Sequence, residues 1–195
     1  MPVAMEIPGT YTAPPHKLWT REECAAMERA GLLELGRYEL IVGELVLKMG
    51  KNRAHMVTVL LLMAWLHNVY GSLFVMQEPS IDVHPEDNPT SDPEPDVVVL
   101  RRSGRELTAN PKPEDLRFVA EVSHTTLSFD MKVKAGLYAR AGIAEYWVVD
   151  VDGRRVIVHR RPEDGLYRDV AAYGAGERVA TLGAPEETIL VEELF

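Results

Sequence analysis

The sequence predicts an α/β domain built on a mixed β-sheet with helices on its faces. Three observations carry this. The runs DVVVL at 96–100 and RFVAEVS at 117–123 are short, β-branched and largely apolar, the composition of strands buried on both faces. Helical character over Asp130–Ala141, closed by Gly142 in the usual C-terminal glycine position, leads from the second run to EYWVVD at 145–150. A helical crossover makes 117–123 and 145–150 parallel neighbours. Finally, Val151-Asp152-Gly153 turns the last strand into an antiparallel hairpin with 154–160, so the sheet is mixed.

The other elements follow in chain order. Residues 1–17 are a Pro-rich lead-in, loosely ordered by composition, and 18–195 form one domain, the number a 195-residue chain supports. Thr20 and Glu23 make a capping box, with a helix to about Leu33. The segment 38–49 is β-rich, with Val42-Gly43 as its turn. Asn52 caps a second helix whose Val59, Leu62 and Leu66 form an apolar stripe, ending near Gly71. A strand spans 73–84, where Pro79 implies an edge or a bulge. The loop HPEDNPTSDPEP delivers the chain to Asp96, and strand-like stretches near 166–173 and 187–191 complete the tail.

Composition bounds the function. Apolar residues at 46% suffice for a core and argue against disorder. The longest apolar runs, such as 59–66, fall far short of a bilayer's thickness, so no membrane partner is expected. The first residues lack the order of a signal peptide, and a lone cysteine, Cys24, permits no internal disulfide, which points to the cytoplasm. The net charge of -9 opposes a polyanionic partner. Arg101, Arg102, Arg105 and Lys112 offer a local basic cluster, although such a cluster more often solvates a loop.

Two carboxylates stand out. Asp96 opens a strand that otherwise reads as wholly buried, and Glu121 lies inside an apolar one, where a bare carboxylate is costly. Strand alternation sets Phe118, Ala120 and Val122 on one face and Val119, Glu121 and Ser123 on the other. On neighbouring strands, about 5 Å apart, Asp96 and Glu121 could share a hard divalent cation. The alternative is that Asp96 caps a turn while Glu121 pairs with an internal arginine or lysine. Asp130, Lys134 and Tyr138, at four-residue steps, share one helix face. Glu39, alternating with apolar neighbours, reads as solvent-facing, and His124 has no role on this reading.

The stretches YELIVGELV at 38–46, His55 at its helix start, PEPDVVV at 93–99 and FVAEVSHTTLSFDMKVKAGLYARAGIAEYWVVD at 118–150 resemble the Uma2-type members of the PD-(D/E)XK nuclease superfamily. The resemblance covers roughly 38–150 and implies a restriction-endonuclease-like three-layer core. It further implies a Mg²⁺ or Mn²⁺ site at the sheet edge, held by Asp96, Glu121 and the main-chain carbonyl of Val122. The superfamily's usual lysine two residues after the glutamate is Ser123 here, and the resemblance implies Lys134 as its replacement. Asp130 would orient that lysine, and Glu44 and His55, beside the site in this kind of fold, would ligate metal or position water.

The implied activity is metal-dependent phosphodiester hydrolysis in nucleic acid, DNA before RNA, by Asp96, Glu121 and Lys134. Superfamily nucleases often act as homodimers, and by analogy the 73–84 strand or the C-terminal hairpins would supply an interface. The rival reading is a nuclease-fold protein with little or no hydrolytic activity, acting as a binding or regulatory domain. The acidic charge and Ser123 favour that rival. Glycoside hydrolysis also uses two carboxylates, but no aromatic sugar platform surrounds either acid.

Overall fold

The computed structural model describes residues 16–34, 36–48, 50 and 52–195. Most of the expected lead-in, 1–15, therefore lies outside the described residues. Strands β1 (Tyr38–Ile41) and β2 (Glu44–Leu47) pair as an antiparallel hairpin. Its turn places Val42 and Gly43 at φ 50° and 81°. A side chain at 43 would also stand 2.7 Å from Leu18 Cβ, so glycine is required there.

The main sheet has six strands in the order β3-β4-β5-β6-β7-β8. These are β3 (Val75–Gln77), β4 (Val97–Leu100), β5 (Leu116–Ser123), β6 (Glu145–Asp150), β7 (Arg155–Glu163) and β8 (Leu166–Tyr173). Only β5 and β6 run parallel, as the helical crossover requires; every other neighbouring pair is antiparallel. A two-stranded ribbon, β9 (Arg178–Val179) with β10 (Ile189–Leu190), closes the tail.

Alternation along the central strands splits the core into two layers. On one face, helix α2 (Arg53–Tyr70) buries Val59, Leu62 and Leu66 against Val97, Phe118, Ala120, Val122 and Trp147. Trp147 stacks on Trp65 and meets the edge of Phe118. On the other face, Val98, Val119, Tyr146 and Val148 pack against Leu137 and Tyr138 of helix α4 (Ala135–Arg140) and against Ile41 of the hairpin. Burying each large side chain contributes about 1.5–3 kcal/mol. Helices on both faces of a mixed sheet are the predicted α/β architecture.

Three predicted elements differ in extent. Helix α1 (Arg21–Arg29) has the Thr20–Glu23 capping box but stops before Leu33, because Gly31 turns to φ 70°. The strand expected over 73–84 is only Val75–Gln77 at the sheet edge; Glu78 at φ 51° and then Pro79 end it. The helix expected from Asp130 begins earlier, at α3 (Leu127–Phe129), and passes into α4 through a π-helical turn, Asp130–Lys134. There the Ala135 N–H donates to the Asp130 carbonyl five residues back, the wider turn frequently found at functional sites.

Candidate active site

Chain direction brings the site together at one end of the sheet. Strand β4 begins there, just after Asp96, and β5 ends there at Ser123. Antiparallel register sets Val97 opposite Ala120, so Asp96 stands opposite Glu121 and both project toward the α4 face. Asp96 Oδ2 accepts a hydrogen bond from the Val122 backbone N–H at 2.7 Å. Its other oxygen lies 3.4 Å from His55 Nε2. His55 sits in the first turn of α2, placed by the Asn52 side-chain cap on its N–H, and its Nδ1 is buried without a partner among the described residues.

Glu121 is held from the helical side. Its Oε1 accepts from Lys134 Nζ and from the Tyr138 hydroxyl, both at 2.9 Å. Lys134 Nζ also reaches Glu39 Oε2 at 2.9 Å. The side chains of Lys134, Glu121 and Glu39 are only 7%, 6% and 11% exposed, so these contacts are little screened. The alternative pairing of Glu121 with an internal lysine is thus realised, and the partner is the same Lys134 that the resemblance implied.

Charge at this point is unbalanced. Burial pushes the Glu121 carboxyl well above the usual range; Lys134 opposes this, while Asp96, Asp130 and Glu39 add to it. Burial also raises Glu39 and Asp130, again with Lys134 opposing. For Lys134, burial acts to lower the pKa, but Glu121, Glu39 and Asp130 outweigh it and raise it. Its ammonium therefore stays charged, and one cation serves several carboxylates.

The remaining expected residues divide. Ser123 is buried at the end of β5, 3.4 Å from the Thr126 hydroxyl. Asp130 accepts from Thr126 at 2.6 Å and acts on Lys134 only as a nearby charge, so it does not orient the lysine by a direct bond. Glu44 does not join the site: it opens β2 opposite Ile41 at the hairpin turn and is exposed. The cluster from Arg101 to Lys112 follows the far end of β4, away from the site. Arg101 donates to the Leu116 carbonyl, and Arg102 pairs with Asp115.

Glu39 corrects the expectation of a solvent-facing residue. The hairpin folds over the α4 face, fixed by Leu40 pairing with Asp92, and turns Glu39 inward. A carboxylate among apolar strand residues, the signal that marked Glu121, marked Glu39 equally. Glu39, His55, Asp96, Glu121, Asp130 and Lys134 all line one cleft of about 330 Å³. Its described lining carries six carboxylates, with Glu78 and Glu94 completing the set, and two lysines.

The donor set is compatible with a hard, oxygen-binding cation. Among the described residues no three His, Cys, Asp or Glu side chains are arranged as a closed metal cluster. Outside the hydrogen bonds to Val122, Lys134 and Tyr138, Glu121 keeps one oxygen, and Asp96 keeps one that faces His55 Nε2 at 3.4 Å. Two carboxylate oxygens fit a hard cation that retains most of its waters, as Mg²⁺ does.

Comparison with known proteins agrees with this fold. A crystal structure from Anabaena variabilis, described as a putative nuclease belonging to DUF820, is similar with a TM-score of 0.64. It is 16% identical, and the similarity covers 86% of this chain and 95% of that one. No curated protein matches the chain. The Uma2 family model, described as "Putative restriction endonuclease", matches residues 22–191. That match spans the hairpin, both site strands and the π-turn helix, and the chain belongs to the Uma2 family.

Proposed function

We propose that this protein is a metal-dependent nuclease that hydrolyses phosphodiester bonds, with Asp96, Glu121 and Lys134 as its catalytic residues. The observation that carries the reading is Lys134 at 2.9 Å from Glu121: a lysine stands beside the strand carboxylate although position 123 is serine. Family membership supports the reaction class. Asp96 and Glu121, with the Val122 carbonyl, would hold the ion, Mg²⁺ or Mn²⁺. When bound, such an ion polarises the phosphate and lowers the pKa of a water.

The chain's own residues do the positioning. Tyr138 fixes the Glu121 carboxylate and His55 faces Asp96. Glu39 and Glu121 take two of the three N–H donors of Lys134, which leaves one to point at the attacking water or at the charge growing on the phosphate. The water attacks phosphorus in line with the departing 3′-oxygen. With so many carboxylates in the cleft, a phosphate would be repelled without the ion, so cleavage is expected to depend strictly on it.

Asp96→Ala and Glu121→Ala should each abolish Mg²⁺-dependent cleavage of DNA or RNA while far-UV circular dichroism shows a folded protein. Cleavage that persists in either variant removes this pair from the mechanism. The net charge of -9 and the serine at position 123 favour the rival, a nuclease-fold binding domain without hydrolysis. Calorimetry separates the two: the nuclease reading requires Mg²⁺ or Mn²⁺ binding that Glu121→Ala removes, whereas the rival requires none.

A further inference from the structure

Beside the acidic cleft lies a second groove, of about 540 Å³, with the opposite electrostatic character. One wall is the start of α2, with Arg53, Ala54 and Val57; the other is the β6–β7 turn, with Val151, Asp152 and Arg154. Arg53 forms no ion pair among the described residues, and Arg154 packs its guanidinium over the Phe195 ring at 5.2 Å. The one acidic side chain in the lining, Asp152, lies 3.2 Å from His124 Nε2. The groove therefore presents two guanidiniums above an apolar floor, beside one exposed carboxylate.

The groove is also fixed to the reaction site. Val151 N–H donates to the Ser123 carbonyl at the end of β5. The turn itself is held by Asp150, which accepts from the Gly153 N–H and from Arg155 Nε. His124 lines the cleft while Asp152 lines the groove, so their contact joins the two. On the α2 side, Arg53 stands two residues before His55, which faces Asp96. A polymer passing through the cleft on this side would continue between Arg53 and Arg154.

We propose that this groove binds the sugar-phosphate backbone of the nucleic-acid substrate flanking the scissile bond, with Arg53 and Arg154 as phosphate contacts. This rests on the nuclease reading above. Guanidinium groups donate in a planar fork that matches phosphate oxygens, and such contacts position a backbone without reading its sequence. The groove resolves the electrostatic difficulty of an acidic protein acting on a polyanion. Six carboxylates line the cleft and only Asp152 lines the groove, so attraction comes from a separate track beside the cleft.

The test is fluorescence anisotropy with labelled single-stranded DNA, duplex DNA and single-stranded RNA, in Ca²⁺ and across a range of salt, alongside cleavage of the same probes in Mg²⁺. For the Arg53→Ala/Arg154→Ala double variant we expect at least about tenfold weaker binding at low salt. The slope of log affinity against log salt should fall by about two, roughly one for each phosphate contact removed. Both arginines are solvent-facing, and an unchanged melting temperature will exclude misfolding. Arg105→Ala/Lys112→Ala, at the far end of the sheet, should bind like wild type. If wild type cleaves a probe and the double variant keeps its affinity and salt slope, the groove assignment is overturned and the nuclease reading stands. If the double variant loses binding but wild type never cleaves, the groove stands and the nuclease reading falls. Failure of wild type to bind any probe overturns both.

Discussion

Lys134 carries more of this site than any other side chain. It sits between Glu39 and Glu121, nearly excluded from water, and its ammonium offsets two carboxylates. Removing one member of such a buried set leaves uncompensated charge, at a cost of about 3–5 kcal/mol. Lys134→Met should therefore lower the thermal midpoint sharply and abolish cleavage. Adding Glu39→Leu and Glu121→Leu to Lys134→Met should recover most of the midpoint without restoring activity. A merely packing role for Lys134 would give a small loss that the added substitutions do not repair. At this scale the sequence was informative about chemistry that breaks a pattern. Glu121 was visible as an acid in an apolar strand, and Lys134 through family resemblance. Glu39 escaped because a four-residue strand with one acid also reads as an ordinary exposed hairpin, and only the fold shows which face is covered.

Among the elements, the loop that delivers Asp96 is held from outside the sheet. Arg21, at the start of α1, donates to the carbonyls of Ile81 and Ser91 and pairs with Asp82 and Asp92. Arg21→Met should speed amide hydrogen exchange of Ile81 and Asp82, which bond across the loop to Pro93 and Pro111; unchanged exchange would mean that the loop is held without α1. At the other end of the sheet, Glu145 is fully buried and accepts from Trp147, Arg160 and the Leu182 N–H. Arg160→Met should cost about 3 kcal/mol in stability yet leave cleavage per folded molecule intact, because β6 carries Glu145 away from the site. Loss of activity at full folding would contradict that separation. Helix and strand identities followed from periodicity and caps, but the π-turn did not. Asp130–Lys134 has the composition of an ordinary helix, and the widening is decided by what the turn packs on, including the Tyr146 hydroxyl on the Asp130 carbonyl. The shortness of β3 was equally hidden, since Ile81 and Val83 keep a strand-like alternation after Glu78 has ended the pairing.

For the whole molecule, the β5–β6–β7 part of the topology was legible, because a helical crossover makes β5 and β6 parallel and the Val151-Asp152-Gly153 turn makes β7 antiparallel; the places of β3, β4 and β8 depend on pairings between distant segments. Burial elsewhere in the sheet adds a pH response. His159 on β7 is buried against Tyr146 and Tyr167, with Nδ1 lacking a partner among the described residues. Burial lowers its pKa below 6.5, partly offset by backbone hydrogen bonds. The unfolded chain then binds the extra proton first, so this contribution to stability is complete above pH 6.5 and is lost as pH falls through the folded value. Denaturant unfolding should show a stability slope in that window of at most about 1.4 kcal/mol per pH unit from this one proton, and His159→Phe should remove it. A slope unchanged in that variant would assign the response to other groups. The charge of -9 gave no hint that arginines and carboxylates would segregate into adjoining grooves, because Arg53 and Arg154 are a hundred residues apart in the chain.

The most direct test is a crystal of the wild-type protein soaked in Mn²⁺ and measured for anomalous scattering. A manganese peak coordinated by both Asp96 and Glu121, with Lys134 still on Glu121, is the predicted result. No peak at that pair, under conditions where the protein is active or where manganese occupies another set of carboxylates, would contradict the metal-dependent site.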